Sequence, residues 1–112
     1  MGRKSRAKGQ RGEREAAAEL TRLFGVEAHR GRQYHGGPDS PDVQTTLSNV
    51  HVEVKRTETL SVYAAMEQAE KDAGDAVPLV LHRRNGKQWL AIVQLDDLPR
   101  LATTLYLAMA GN

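Results

Sequence analysis

The run from Val50 to Arg56 alternates with a strict period of two. Val50, Val52 and Val54 share one face of an extended chain, and His51, Glu53 and Lys55 share the other. A chain holding this run needs a sheet whose valine face is covered. It also carries a carboxylate and an ammonium that leave the opposite face together. Taken alone, such a pair is a solvated strand face closed by a cross-strand ion pair. The cover for the valines must come from a small store, because the chain has 112 residues, 39% of them hydrophobic and 4% aromatic. That length fits one domain with one modest core and excludes a large aromatic ligand cavity.

Around this strand the other elements follow. Residues 1–9 are basic and small and read as a flexible tail, leaving 10–112 as the single folded domain. Ala17, Leu20 and Phe24 recur at helical spacing, which predicts a helix over 10–24 that stops at Gly25. Residues 26–29 form a short strand, 30–41 a loop dense in Gly, Pro and Asp, and 42–47 a strand that turns near Ser48 and Asn49. Ser61 is placed to cap a helix over 62–73, with Val62, Ala65, Met66, Ala69 and Ala73 as its apolar stripe. Residues 78–83 and 87–95 read as a hairpin closed by a type I′ turn at Asn85-Gly86, with Trp89 in the core. Asp96 or Asp97 precedes a last helix starting near Pro99, with Leu98, Leu101, Leu105 and Met109 on one side. The predicted architecture is α/β: a mixed sheet of about five strands flanked by helices, in the order α-β-β-β-α-β-β-α.

Charge narrows the function. The absence of cysteine excludes a disulfide scaffold, cysteine-ligated zinc and thiol catalysis, and is compatible with a reducing, cytoplasmic compartment. The four histidines show no zinc-site spacing. No apolar run approaches the ~20 residues of a membrane span. The formal net charge of +2 hides an uneven distribution. Residues 1–32 hold nine basic and four acidic groups, a net of +5, and the remainder holds seven and ten, a net of −3. A basic front half suits a polyanion such as nucleic acid.

The acids suggest what happens to that polyanion. Asp42, at the end of the long loop, opens the strand next to Val50–Arg56 and brings its carboxylate beside Glu53. Asp39 also follows a proline and is a rival, but Val43 after Asp42 makes the better strand start. Two carboxylates with a nearby backbone carbonyl suit Mg2+ or Mn2+, and a lysine beside them orients a nucleophile or stabilises developing charge. Glu13 stands 4, 7 and 11 residues before Ala17, Leu20 and Phe24, so it lies on the core-facing stripe of the first helix. A carboxylate there is costly without a cation or metal, which makes Glu13 a third acidic candidate. The other reading of Glu13 is a helix N-terminal acid favoured by the macrodipole. His51 shares the Glu53 face and either approaches the site or is an exposed strand histidine, of which the second is expected. Gln68, on the flank of its helix stripe, is a surface residue or a support to the site. Tyr34 and His35, in the loop, touch DNA or decorate a turn.

Pro41-Asp42, followed after ten residues by Glu53-Val54-Lys55, resembles the PD-(D/E)XK nuclease pattern. The run Lys8-Gly9-Gln10-Arg11-Gly12-Glu13-Arg14-Glu15 resembles the KGxxxERE opening of archaeal-type Holliday junction resolvases. With the Gln68 helix and the closing hairpin, the resemblance spans roughly residues 8–98. It implies a restriction-endonuclease-like fold and a Mg2+-dependent DNA endonuclease that acts as a homodimer on four-way junctions, with Mn2+ able to substitute. By position, Glu13, Asp42 and Glu53 would hold the metal or its water, and Lys55 would be the catalytic lysine. Arg14, Arg30 and Arg32 would contact phosphate, and Lys8, Arg11 and Arg56 complete the candidate DNA-binding set. The loop before Asp42 is longer and richer in Gly and Pro than in the archaeal pattern. The rival functions are a nuclease of the same fold acting on flaps, nicks or duplex, and a non-catalytic nucleic-acid-binding module.

Overall fold

The computed structural model describes residues 2–31 and 41–111, with side chains from Lys8 onward. Arg32, Tyr34, His35 and Asp39 lie outside the described residues. In chain order the elements are α1 (Gly2–Phe24), β1 (Ala28–Arg30), β2 (Val43–Thr45), β3 (Val50–Arg56), α2 (Val62–Ala73), β4 (Val77–Arg83), β5 (Leu90–Val93) and α3 (Leu98–Ala110). A short 3-10 turn, Leu95–Asp97, leads into α3. The five strands make one sheet in the order β1-β2-β3-β4-β5. Strands β3 and β4 run parallel, in register from Val50↔Val77 to Arg56↔Arg83, and the other neighbours are antiparallel. The expected mixed sheet and element order are both present. No helix among the described residues is long and apolar enough to cross a membrane.

A parallel pair needs a crossover, and α2 supplies it. The crossover covers a face of the sheet that alternation alone leaves open. On the valine face, Val43, Val52, Leu79 and Leu81 pack against Ala16, Ala17 and Leu20 of α1 and Leu101 of α3. On the other face, Ala65, Met66 and Ala69 of α2 pack on Val80. Glu53 is the register partner of Val80, so its side chain leaves the sheet on the α2 side. The expected solvated face of β3 is therefore roofed: His51 and Glu53 are each only 6% exposed. His51 is not the exposed strand histidine that the sequence suggests.

Three further expectations change. Helix α1 starts at Gly2 instead of residue 10. No proline interrupts residues 2–24, and the Arg, Lys, Ala and Glu residues there favour helix strongly enough to carry two glycines through. The hairpin turn is not type I′, because Gly86 has φ +74° while Asn85 does not share the positive φ that this turn demands of both residues. Tertiary contacts shape it instead: Glu58 Oε2 accepts the Asn85 N–H at 2.8 Å, and Arg83 Nε donates to the Lys87 carbonyl at 2.6 Å. With pairing resuming only at Leu90, Trp89 falls outside the strand, yet it packs half-buried on the core as expected.

Candidate active site

Strand β2 pairs with β3 at the single position Val43↔Val52 and then leaves it. The Asp42 N–H donates to the Val52 carbonyl at 2.9 Å, and the Asp42 carbonyl accepts from Gly31 N–H at 2.8 Å. A side chain at residue 31 would run into the Pro41 carbonyl, so a glycine lets the chain close this tightly. Beyond that point β2 no longer partners β3, and the Val54 N–H is taken up at 2.8 Å by Asp42 Oδ2. A side-chain carboxylate thus stands in for a ladder carbonyl at the fork between the strands. The fork brings Asp42 onto Glu53.

These two carboxyl groups are hydrogen-bonded to each other, which requires one proton between them. Burial, then the bond to Glu53, pushes Asp42 up to about 7, against the pull of the Val54 N–H. Burial also pushes Glu53 upward, but the bonds from His51 and Asp42 and the charges of His51 and Lys55 outweigh it and hold Glu53 low. Asp42 is thus pushed toward its protonated form and Glu53 toward its charged form. His51 Nε2 lies 2.8 Å from Glu53 Oε1. Lys55, two residues along the same face, is half-buried.

Glu13 comes from α1, on the opposite face of the sheet. Arg30 Nε donates to Glu13 Oε1 at 2.8 Å, tying α1 to the end of β1. Burial raises the Glu13 pKa; Arg30 opposes the rise, and the charge of Glu53 adds to it. Glu13 thus senses Glu53 but is committed to Arg30. Among the described residues, the group of three whose ligand atoms all lie within 4.8 Å of one another is His51, Glu53 and Asp72, not Glu13, Asp42 and Glu53.

Two residues of this cluster lie outside the set that the sequence singles out. His51 looks like a strand histidine until α2 is laid over it. Asp72 hides behind Ala73 as the end of the α2 stripe, although it follows the buried Ala65 and Ala69 by seven and three residues. That spacing was the available signal. Gln68 is exposed on the outer side of α2, and Asp72 reaches inward in its place.

The basic candidates are distributed and mostly paired. Lys8 Nζ lies 3.8 Å from Glu58, Arg30 is bound to Glu13, and Arg56 Nε donates to Glu15 Oε1 at 3.3 Å. Arg83 joins the same Glu15 oxygen at 3.2 Å. Arg11 and Arg14 are exposed and form no ion pair among the described residues. Lys8, Arg11 and Arg56 line one small polar groove with Gly12, Glu15 and Asn85.

No family model matches this chain, and no curated protein matches it. Among solved structures it is similar to Hjc, a Holliday junction resolvase from the archaeal hyperthermophile Archaeoglobus fulgidus. The two are 24% identical with a TM-score of 0.57, over 74% of this chain and 73% of that chain. The likeness is one of fold. This chain has the restriction-endonuclease-like arrangement, a five-stranded mixed sheet flanked by helices.

Proposed function

We propose that this protein is a divalent-metal-dependent DNA endonuclease of PD-(D/E)XK type that cuts four-way junctions as a homodimer. The observation that carries the reading is the hydrogen-bonded Asp42–Glu53 carboxyl pair, with Lys55 beside it, at the strand fork of a resolvase-like fold. Two carboxyl groups brought together in partial burial are held in register only by a proton, and a dication satisfies the same oxygens better. The donor set is all oxygen, which suits Mg2+. Asp42 and Glu53 would hold the ion, and Glu13 would join them by exchanging its bond to Arg30. When bound there, the ion supplies polarisation of the phosphate and a water of lowered pKa.

The chain's own groups do the rest. Lys55, on the same strand face as Glu53, would orient the attacking water and stabilise charge developing on the phosphate. His51 fixes the Glu53 carboxylate through its 2.8 Å contact. Water oxygen attacks phosphorus in line, the bond from phosphorus to the 3′ oxygen breaks, and a 5′-phosphate and a 3′-hydroxyl result. Arg11 and Arg14, exposed on α1 and without an ion pair among the described residues, would grip the backbone.

The test compares a mobile four-way junction with linear duplex and flap substrates of the same arms, in Mg2+ and in EDTA. Junction cleavage that is metal-dependent and selective is expected. Lys55→Met should lower kcat by on the order of 10²–10³ while leaving junction affinity unchanged. Equal rates on all three substrates would remove the junction preference and leave a general nuclease. Cleavage that persists in EDTA or in Glu53→Ala would remove the site.

A further inference from the structure

Asp72 occupies a place where an apolar residue is expected. It continues the stripe of Ala65 and Ala69 that α2 lays on the sheet, and it is half-buried there. A cation beside this half-buried carboxylate would offset what its partial burial costs. Among the described residues it has neither a hydrogen bond nor an ion pair. It faces instead His51 and Glu53, both 6% exposed, on the strand beneath.

The three donors stand close enough together to close on one ion. One ligand atom from each of the three residues lies within 4.8 Å of the other two, and the His51–Glu53 contact is 2.8 Å. Around a six-coordinate ion with bonds of ~2.1 Å, neighbouring ligand atoms stand ~3 Å apart and opposite ones ~4.2 Å. His51 and Glu53 come from β3 and Asp72 from α2, which packs on the same face of the sheet. We propose that His51, Glu53 and Asp72 form a second ion position, which takes a first-row transition ion such as Mn2+ in preference to Mg2+. The imidazole makes this choice, since nitrogen ligation suits transition ions and Mg2+ keeps to oxygen. Glu53 would then serve both positions, since it neighbours Asp42 as well as His51 and Asp72. His51 would ligate through a ring nitrogen. The position's place beside the catalytic carboxylates rests on the nuclease reading; its ligand set does not.

The full chain is titrated with Mn2+ alone, and its electron paramagnetic resonance spectrum is read for affinity and for coupling to directly bound nitrogen. The wild type should show nitrogen coupling, and His51→Gln should abolish it. Asp72→Ala should weaken Mn2+ binding by about tenfold or more, with partial recovery in Asp72→Glu. Asp42→Asn should keep the nitrogen coupling although it loses DNA cleavage. Absence of coupling in the wild type, or coupling unchanged in His51→Gln, overturns the proposal. If His51→Gln fails to fold, Asp72→Ala decides: affinity within about twofold of wild type overturns it. A chain that cuts junctions with Mg2+ but shows no nitrogen coupling loses this position alone. One that binds Mn2+ through nitrogen and cuts no DNA loses the nuclease reading alone.

Discussion

Asp42 is the residue on which the site turns, and its proton has a thermodynamic consequence. Burial and the bond to Glu53 lift it from 3.8 to about 7. Because the folded value lies above the unfolded one, the native state holds a proton that the unfolded chain gives up. That contribution to stability is complete below the unfolded value of 3.8 and is lost as pH rises through about 7. In EDTA, thermal melts should therefore fall as pH rises from about 4 to about 7. Asp42→Asn keeps an oxygen for the Val54 N–H and an N–H for Glu53, so its melts should lack this component of the slope. Parallel slopes for the two proteins would rule out the shared proton. Adding Mg2+ should reverse the wild-type trend, since the ion competes with that proton. The Asp42–Glu53 pair was legible in the sequence because Pro41-Asp42 ends a loop and Glu53 and Lys55 share a strand face. His51 and Asp72 were not legible, because their burial depends on how α2 crosses β3.

At the scale of elements, α1 shows how one helix serves both stability and the site. Gly12 lies under Arg56, whose guanidinium crosses the helix to Glu15 and to the Arg83 carbonyl. A Cβ at Gly12 would sit 2.5 Å from the Arg56 Cβ, an atom fixed to the strand backbone, whereas one at Gly9 would meet nothing within 4 Å. The two glycines should therefore respond oppositely to alanine. Gly9→Ala should stabilise the protein by up to about 1 kcal/mol through helix propensity. Gly12→Ala should destabilise it by about 1–3 kcal/mol, because overpacking against β3 outweighs that gain. Urea unfolding of both variants checks this, and a stabilised Gly12→Ala would contradict the packing of α1 on Arg56. Strand β3 and helix α2 lie where periodicity puts them, Val50–Arg56 and Val62–Ala73. Alternation reports which residues share a face, and it is silent on whether that face is roofed. The Asn85-Gly86 turn failed for a related reason: Glu58 and Arg83, distant in sequence or anchored on β4, override the local dipeptide.

For the whole molecule, the +5 front half is less open than its charge suggests. Glu13, Glu15, Glu19 and Glu58 each hold one or two basic groups in ion pairs, which leaves Arg11 and Arg14 as the exposed cations of described α1 that are free to meet phosphate. Under the proposed function, these two would be the contacts to DNA that the described part of α1 offers. The fold supplies one Asp42–Glu53 pair per chain. Resolution of a four-way junction needs two symmetric cuts, so the proposed activity requires two copies about a two-fold axis. This separates paired cutting from repeated nicking. On a supercoiled plasmid that extrudes a cruciform, wild-type protein should give linear product within one binding event. Mixed dimers of wild type with Asp42→Asn should give nicked circles, because one half of each assembly is inactive. Light scattering at the assay concentration reports the assembly state alongside. Linear product from a chain that is monomeric under those conditions would separate the activity from the dimer and return the protein to the class of single-site nicking nucleases.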